Sequence, residues 1–441
     1  MNIKTRKSIV ALTVERLVLM GILFSISVGT AFSEEFVMSD SLETLREYAT
    51  KDNVKVKMKP GVYRLDEADN HHFIRFTGNH SHFDMTGVTL QIDNELFRKI
   101  KMTPGQERFY CVINLMGDGI VFEGLTTQNI GNPLAVSSRN KIFNVAGSNV
   151  ILRNIDITTS GSSPWGHGSL FGIGGGIVRK MNGIRVSYPS KGAKLINCRV
   201  HMRAMGHAIF VQGAADTLIE DCHVDGLLRP TNEILTETLG VAFDRGFKAS
   251  NGDYVEGVYV GPDGKILPDE MIALSEDGIR MYPNDGNGHA TGRTTIRNCT
   301  VRRMRRGICV GLDASGDTVV DCEVRDCVAA GFNIGNGDVL ENCRANARYA
   351  EALSCPYSRS QGAKVDLEIL DSRGGLSNTI LATLNGERHE VRLHTFNSAF
   401  VPTDFTIEMA TRKGYAYYQR GQQVAAEITL HNETPARIVK P

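Results

Sequence analysis

The chain has 441 residues, and its 49 Lys and Arg balance its 49 Asp and Glu, so the formal net charge is zero. That balance leaves no global field to draw in nucleic acid or an anionic membrane, and any polyanion must be held by a local cluster. Nine cysteines are an odd number, which excludes complete pairing within the chain, and no CxxC pair points to zinc.

Residues 1–33 read as an export signal. Lys4, Arg6 and Lys7 form a basic end, Leu17 to Gly29 an apolar run too short to span a bilayer well, and Ala31-Phe32-Ser33 a small-x-small cleavage site. The mature chain is therefore expected in a periplasm or outside the cell, with no membrane contact once the signal is removed. Residues 34–66 are expected to form a cap and a first strand. SLETLREYATKD (41–52) places Leu42, Leu45 and Tyr48 on one face of a short helix, and VKVKMKPGVYRL continues as strand. A polar-faced cap protects the open end of a coil.

Residues 67–441 read as one coil. Five cysteines recur in nearly the same phrase: Cys198 in LINCRV, Cys222 in IEDCHV, Cys299 in IRNCTV, Cys322 in VVDCEV and Cys343 in LENCRA. Three of the four intervals are 24, 23 and 21 residues, the period of a stacked solenoid, and the fourth, 77, marks an insertion at about 227–275. Apolar and polar residues alternate around each cysteine, so each phrase is a strand whose cysteine packs inward as a small hydrophobe. The same slot runs upstream through Ile155, Leu125 and Val88. One such rung per turn, with Gly, Asn and Asp at the corners, predicts an all-β fold: a single-stranded right-handed parallel β-helix with a short N-terminal capping helix. After residue 351 the rhythm loosens, and KVDLEILDS, EVRLHTF, FTIEMAT and AEITLHN are taken as terminal turns with longer loops, a small separate β-domain being the alternative. A coil of this kind grows by adding turns, so one domain and a monomer are expected.

Stacking brings distant residues into columns. The aligned phrases NGIRVS (182–187), HAIFVQ (207–212), DGIRMY (277–282), RGICVG (306–311) and AGFNIG (330–335) give a first column of Asn182, His207, Asp277, Arg306 and Ala330. Their fourth column is Arg185, Phe210, Arg280, Cys309 and Asn333. Arg185, Arg280 and Arg306 suit carboxylates through paired, charge-assisted hydrogen bonds. Neutralising a uronate carboxylate eases removal of the proton beside it. His207, titrating near neutrality, is the expected base, Tyr282 assists the leaving oxygen, and Lys180 is a reserve base where burial lowers its pKa. Glu276 adjoins Asp277 and, by strand alternation, faces the other side, so the two do not make a simple hydrolase pair; Glu276 is placed among the substrate-binding candidates. The insertion leads into Glu276 and supplies Phe247, Tyr254 and Tyr259, which suit stacking on sugar rings in a cleft wall.

Plainer readings stand beside these. Asp277 and Arg306 on neighbouring turns make a structural ion pair, and RRMRR (302–306) reads as a solvated face. His71, His72, His80 and His82 lack carboxylates at ligand spacing, so no metal is expected. Asp244, Asp253, Glu256 and Asp263 suit calcium by type but lack a DxDxDG-like spacing.

The helix followed by PGVY and the NC-containing rungs resembles the pectin-lyase-like superfamily of right-handed parallel β-helices over roughly residues 40–350. That resemblance implies cleavage or modification of a polysaccharide, often a uronic acid polymer. Gly166-His167-Gly168 followed by Asn182-Gly183-Ile184-Arg185-Val186-Ser187 is similar to polygalacturonase-type glycoside hydrolases, which implies catalytic support from His167 and a carboxylate grip by Arg185. Ser187 stands where that family has lysine, the segments are one turn too close, and no Asp-Asp pair precedes His167, so that hydrolytic mechanism does not carry over. The expectation is an exported lyase that cleaves an acidic polysaccharide by β-elimination without a cofactor. A glycoside hydrolase and a non-catalytic glycan-binding or cell-surface coil are the alternatives.

Overall fold

The computed structural model describes residues 35–65, 72–99, 109–131, 139–160, 180–248, 261, 263–311, 316–357, 360–375, 378–409 and 427–440. The expected export signal, the Gly166-His167-Gly168 segment, and Tyr254 with Tyr259 lie outside them. From Phe36 onward the chain forms one compact unit.

The cap is the helix Leu42–Tyr48. Ser41 precedes it, and its Oγ accepts the Thr44 N–H at 3.1 Å, which satisfies one of the open amides of the first turn. Leu45 is buried on the inner face of this helix and joins the core.

In the middle of the stack each turn carries three strands, and in the later turns the second and third merge into one. Lys180–Ser187, Lys194–Ile196 and Arg199–Met202 are followed by Ile209–Gln212, Thr217–Glu220 and His223–Asp225. Successive turns pair in parallel, with Ile184 opposite Ile209, Leu195 opposite Ile219 and Val200 opposite Val224. The first strands build a 12-stranded sheet, and the second and third together a 19-stranded one. This is an all-β right-handed parallel β-helix, the hand that parallel crossovers adopt almost without exception.

The corner between second and third strands explains the repeated phrase. The residue before each column cysteine has a positive φ: Asn197 50°, Asp221 56°, Asn298 51°, Asp321 55° and Asn342 50°. Asn and Asp enter this left-handed region more readily than other residues with side chains. They also bond to one another up the stack, Asn197 Nδ2 to Asn154 Oδ1 at 2.8 Å and Asn298 Nδ2 to Asp221 Oδ1 at 2.6 Å. The chain then turns the cysteines inward, where all five are buried free thiols. Upstream the slot holds Val88 paired with Leu125, and downstream Cys343 passes it to Leu367 and Leu393.

After residue 351, Leu353–Cys355, Ile380–Leu384, Thr406–Glu408 and Arg437–Val439 extend the 12-stranded sheet, while Lys364–Ile369, Glu387–His394 and Glu427–Glu433 extend the larger one. The insertion leaves and re-enters the stack through an antiparallel pair, Leu228–Pro230 with Met271–Ala273.

A steric detail of the 12-stranded sheet sets the site. A Cβ on Gly278 would lie 2.3 Å from Val301 Cγ1, and one on Gly307 2.3 Å from Val324 Cγ1. Gly278 and the core residue Ile279 thus both face the interior. Asp277 and Arg280, three residues apart, are left on one side of the strand instead of alternating.

Candidate functional site

The columns form with the register read from the sequence. Asp277 lies opposite Arg306 and Arg306 opposite Ala330. In the neighbouring column Arg185, Phe210, Arg280, Cys309 and Asn333 follow one another. Instead of facing solvent, however, the first column is covered: His207 is 3% exposed and Asp277 0%. Lys180, Glu276, Arg280, Arg305 and Arg306 are buried with them.

His207 is the centre. On one edge of the imidazole, Nε2 lies 2.8 Å from Tyr282 Oη and 3.3 Å from Glu276 Oε2. On the other, Nδ1 faces the Asp277 backbone N–H at 3.4 Å and Asp277 Oδ2 at 3.4 Å. Its own backbone N–H donates to Asn182 Oδ1 at 2.8 Å, and Asn182 Nδ2 donates to the Asn140 carbonyl at 2.8 Å. Glu276 takes the Lys180 ammonium on both oxygens at 2.6 Å. Asp277 gathers three guanidiniums: Arg306 through Nε at 2.9 Å and Nη2 at 3.2 Å, Arg280 through Nη1 at 2.5 Å, and Arg305 through Nη2 at 3.3 Å. The Arg280 guanidinium also lies over the Tyr282 ring, 4.4 Å from its centroid.

Several expectations change here. Strand alternation was expected to separate Glu276 from Asp277, yet both carboxylates meet the same imidazole, because Glu276 sits in the corner before the strand Asp277–Met281. Lys180, expected as a reserve base, is held by Glu276, and Arg280 and Arg306, expected to grip a substrate carboxylate, engage Asp277. Arg185 stands in the adjacent column, half-buried. The expected roles of His167 and Tyr254 fall outside the described residues. RRMRR is divided: Arg302 and Arg303 are exposed, whereas Arg305 and Arg306 are buried against the carboxylates.

Arg305, and Asn182 as a bracket, were missed as contributors. Arg305 lies one residue upstream of the aligned phrases, as Glu276 does, so extending the alignment by one position would have found it. Lys141 is buried opposite Asn182, in a phrase without the marker glycine.

The contacts assign the charges. Four cations, Lys180, Arg280, Arg305 and Arg306, face two carboxylates, Glu276 and Asp277, around the neutral imidazole. Burial alone would raise the Asp277 carboxyl, but Arg306, Arg305 and Arg280 outweigh it and hold the group ionised well below the usual range. Burial opposes Glu276 in the same way, and Lys180 with its neighbours prevails. For His207 burial wins over the pull of Glu276 and Asp277 and pushes the imidazole down to about 3. It does not titrate near neutrality, as the sequence suggested, and stays neutral at ordinary pH.

A pH dependence follows. Between about 6.5 and about 3 an unfolded histidine binds a proton that folded His207 refuses, so the His207 contribution is complete above that window and declines as pH falls through it. Denaturant midpoints should fall across this window in the native chain and fall less in His207→Gln. Identical pH profiles would remove His207 as the cause.

His82, from the histidine group first weighed for metal, pairs with Glu123 at 2.6 Å, and Arg153 holds the other oxygen at 2.6 Å. Among the described residues no group of three or more His, Cys, Asp or Glu is placed to hold a metal ion. Asp253 and Glu256 of the calcium reading lie outside them.

No family model matches the chain, and no curated protein does. Solved structures do resemble it. An alginate lyase in complex with a trisaccharide is 11% identical, with 91% of this chain and 96% of that one covered and a TM-score of 0.47. The mannuronan C-5 epimerase A-module of Azotobacter vinelandii is 10% identical, with 90% and 91% covered and a TM-score of 0.37. An endo-xylogalacturonan hydrolase from Aspergillus tubingensis is 9% identical, with 91% and 89% covered and a TM-score of 0.38. A lyase, an epimerase and a hydrolase at such distances select no reaction. The right-handed parallel β-helix rests on the strand registers themselves.

Proposed function

We propose that the protein is an exported enzyme that cleaves an acidic, uronate-containing polysaccharide by β-elimination. The observation that supports this reading best is the Tyr282 hydroxyl, on a half-buried side chain, held 2.8 Å from the nitrogen of a buried neutral imidazole beside the Arg280 guanidinium. The proton of His207 is assigned to Nε2, because that nitrogen has only oxygens beside it, Tyr282 Oη and Glu276 Oε2, while Nδ1 accepts the Asp277 N–H even though Asp277 Oδ2 lies 3.4 Å away. His207 then donates to the phenol oxygen. That hydrogen bond, with the Arg280 guanidinium over the ring, stabilises negative charge on Tyr282.

In this reading Tyr282 replaces His207 as the proton carrier. The C–H bond beside the uronate carboxylate breaks, its proton passes to the phenolate oxygen, a carbon–carbon double bond forms, and the glycosidic carbon–oxygen bond opens. The leaving oxygen takes a proton back from Tyr282. The guanidiniums beside Tyr282 lower the cost of the charge that develops on the substrate carboxylate.

Hydrolysis fits less well, since it needs one protonated carboxyl, and both carboxyls of the cluster are held ionised by cations. A non-catalytic glycan-binding coil is the second reading. It is favoured by the fact that all four cations of the cluster already face carboxylates.

Incubating the protein with a panel of acidic and neutral glycans separates these. Ultraviolet absorbance from unsaturated uronate ends supports elimination. Reducing ends without that absorbance support hydrolysis, binding without either supports the non-catalytic coil, and no interaction with any glycan rejects all three.

A further inference from the structure

At the ends of the strands that carry the cluster, two aromatic rings lie flat against each other. Tyr188, just after Lys180–Ser187, and His289, in the loop after Asp277–Met281, have centroids 3.6 Å apart and planes 7° apart. Both reach solvent: Tyr188 is 49% exposed and the His289 side chain 42%.

The pair is held rigidly from below. His289 Nδ1 is fastened to Asp285 Oδ2 at 2.8 Å, and the Asp285 side chain is only 7% exposed. Asp285 Oδ1 accepts the N–H groups of Asn287 at 2.8 Å and His289 at 3.1 Å, and the Asp285 N–H closes the loop on the His289 carbonyl at 3.1 Å. Underneath, Gly213 has φ 75° and no room for a side chain: a Cβ there would lie 2.8 Å from the Asp285 Cβ and 3.2 Å from the Tyr188 Cβ. Its N–H donates to Thr291 Oγ1 at 2.8 Å.

A flat, exposed and pre-ordered aromatic surface suits the apolar face of a pyranose ring, because little side-chain freedom is lost on stacking. Its location suits the same ligand. Ser187 lies opposite Gln212, and Val211 opposite Met281, which puts Tyr282 in the Ser187 column. Tyr188 is therefore one residue along and two strands across from Tyr282, on the order of 10 Å, a span that neighbouring sugar units cover.

We propose that Tyr188 and His289 form a pyranose-stacking platform that seats a sugar unit next to the one presented to Tyr282. This rests on the glycan reading above. The test uses the full chain and the acidic glycan that the panel identifies. Tyr188→Ala should raise KM, and the Kd from calorimetry, about three- to tenfold with kcat nearly unchanged. Tyr188→Leu, which keeps apolar bulk without the ring, should lose affinity alike, and Tyr188→Phe should retain it. Unchanged KM and Kd in both Tyr188→Ala and Tyr188→Leu, on a glycan that the native chain turns over, would overturn the platform alone. A native chain that neither binds nor cleaves any glycan would overturn it together with the glycan reading, a distinguishable result because there is then no parent affinity to lose.

Discussion

Replacing Asp277 with alanine should destabilise the fold by about 3–5 kcal/mol, the cost of breaking a buried ionic group by removing one partner. Asp277 is fully buried and is contacted by Arg280, Arg305 and Arg306. Without it the three guanidiniums lose the carboxylate they share, while Arg305 keeps Glu276 Oε1 at 3.7 Å. Asp277→Asn keeps the shape and should still lose most of the effect, because charge rather than volume is removed. The measurement is the urea midpoint near neutral pH, compared at equal m-value. A loss below about 1 kcal/mol, the range of exposed pairs, would show that the arginines have other partners. The acid limb provides a second check. The folded carboxyl is depressed, so its contribution is present above the unfolded value of about 3.9 and disappears only as pH falls through the lower folded value. Of these two groups, His207 accounts for stability lost between pH 6.5 and 4, and His223 and His389, also held down by burial, add to it with the same sign.

Tyr282→Phe is expected to lower turnover about 10²- to 10⁴-fold, the usual contribution of a positioned proton-transfer group. It removes one hydroxyl, and the loss of a single hydrogen bond should cost stability only about 1 kcal/mol. Fold and activity should therefore separate cleanly, with kcat falling while the thermal midpoint barely moves. Retained turnover in Tyr282→Phe would remove the phenol from the mechanism and return the role to His207. His207→Ala is a poorer probe, since it leaves a buried space and two carboxylates without the imidazole between them.

Much of the coil was legible because a stack repeats its constraints. Cys198, Cys222, Cys299, Cys322 and Cys343 mark one inward slot, and the Asn or Asp before each marks a left-handed corner. The facing of Asp277 and Arg306 was legible for a related reason: Gly278 and Gly307 hold the same sterically forced place in their turns. Depth was not legible. Alternation shows which side of a strand a residue takes, and says nothing of how thickly that side is covered, so a buried ionic cluster looked like an outer wall. Glu276 was misplaced because a corner residue escapes alternation. The His207 protonation state was misjudged because it depends on burial, which only packing reveals. Tyr188 and His289 belong to no repeated phrase, and only the fold brings them into contact.

The antiparallel gateway Leu228–Pro230 with Met271–Ala273 has a bearing on which residues meet across the insertion. A long excursion departs and returns at one storey of the stack, so the gap between His207 and Asp277 along the chain has no influence on their meeting in space. The strands on either side keep one register across it, Ile209 opposite Ile279 and Val211 opposite Met281, so it is the storey at which the chain returns, and not the distance travelled, that fixes which residues meet.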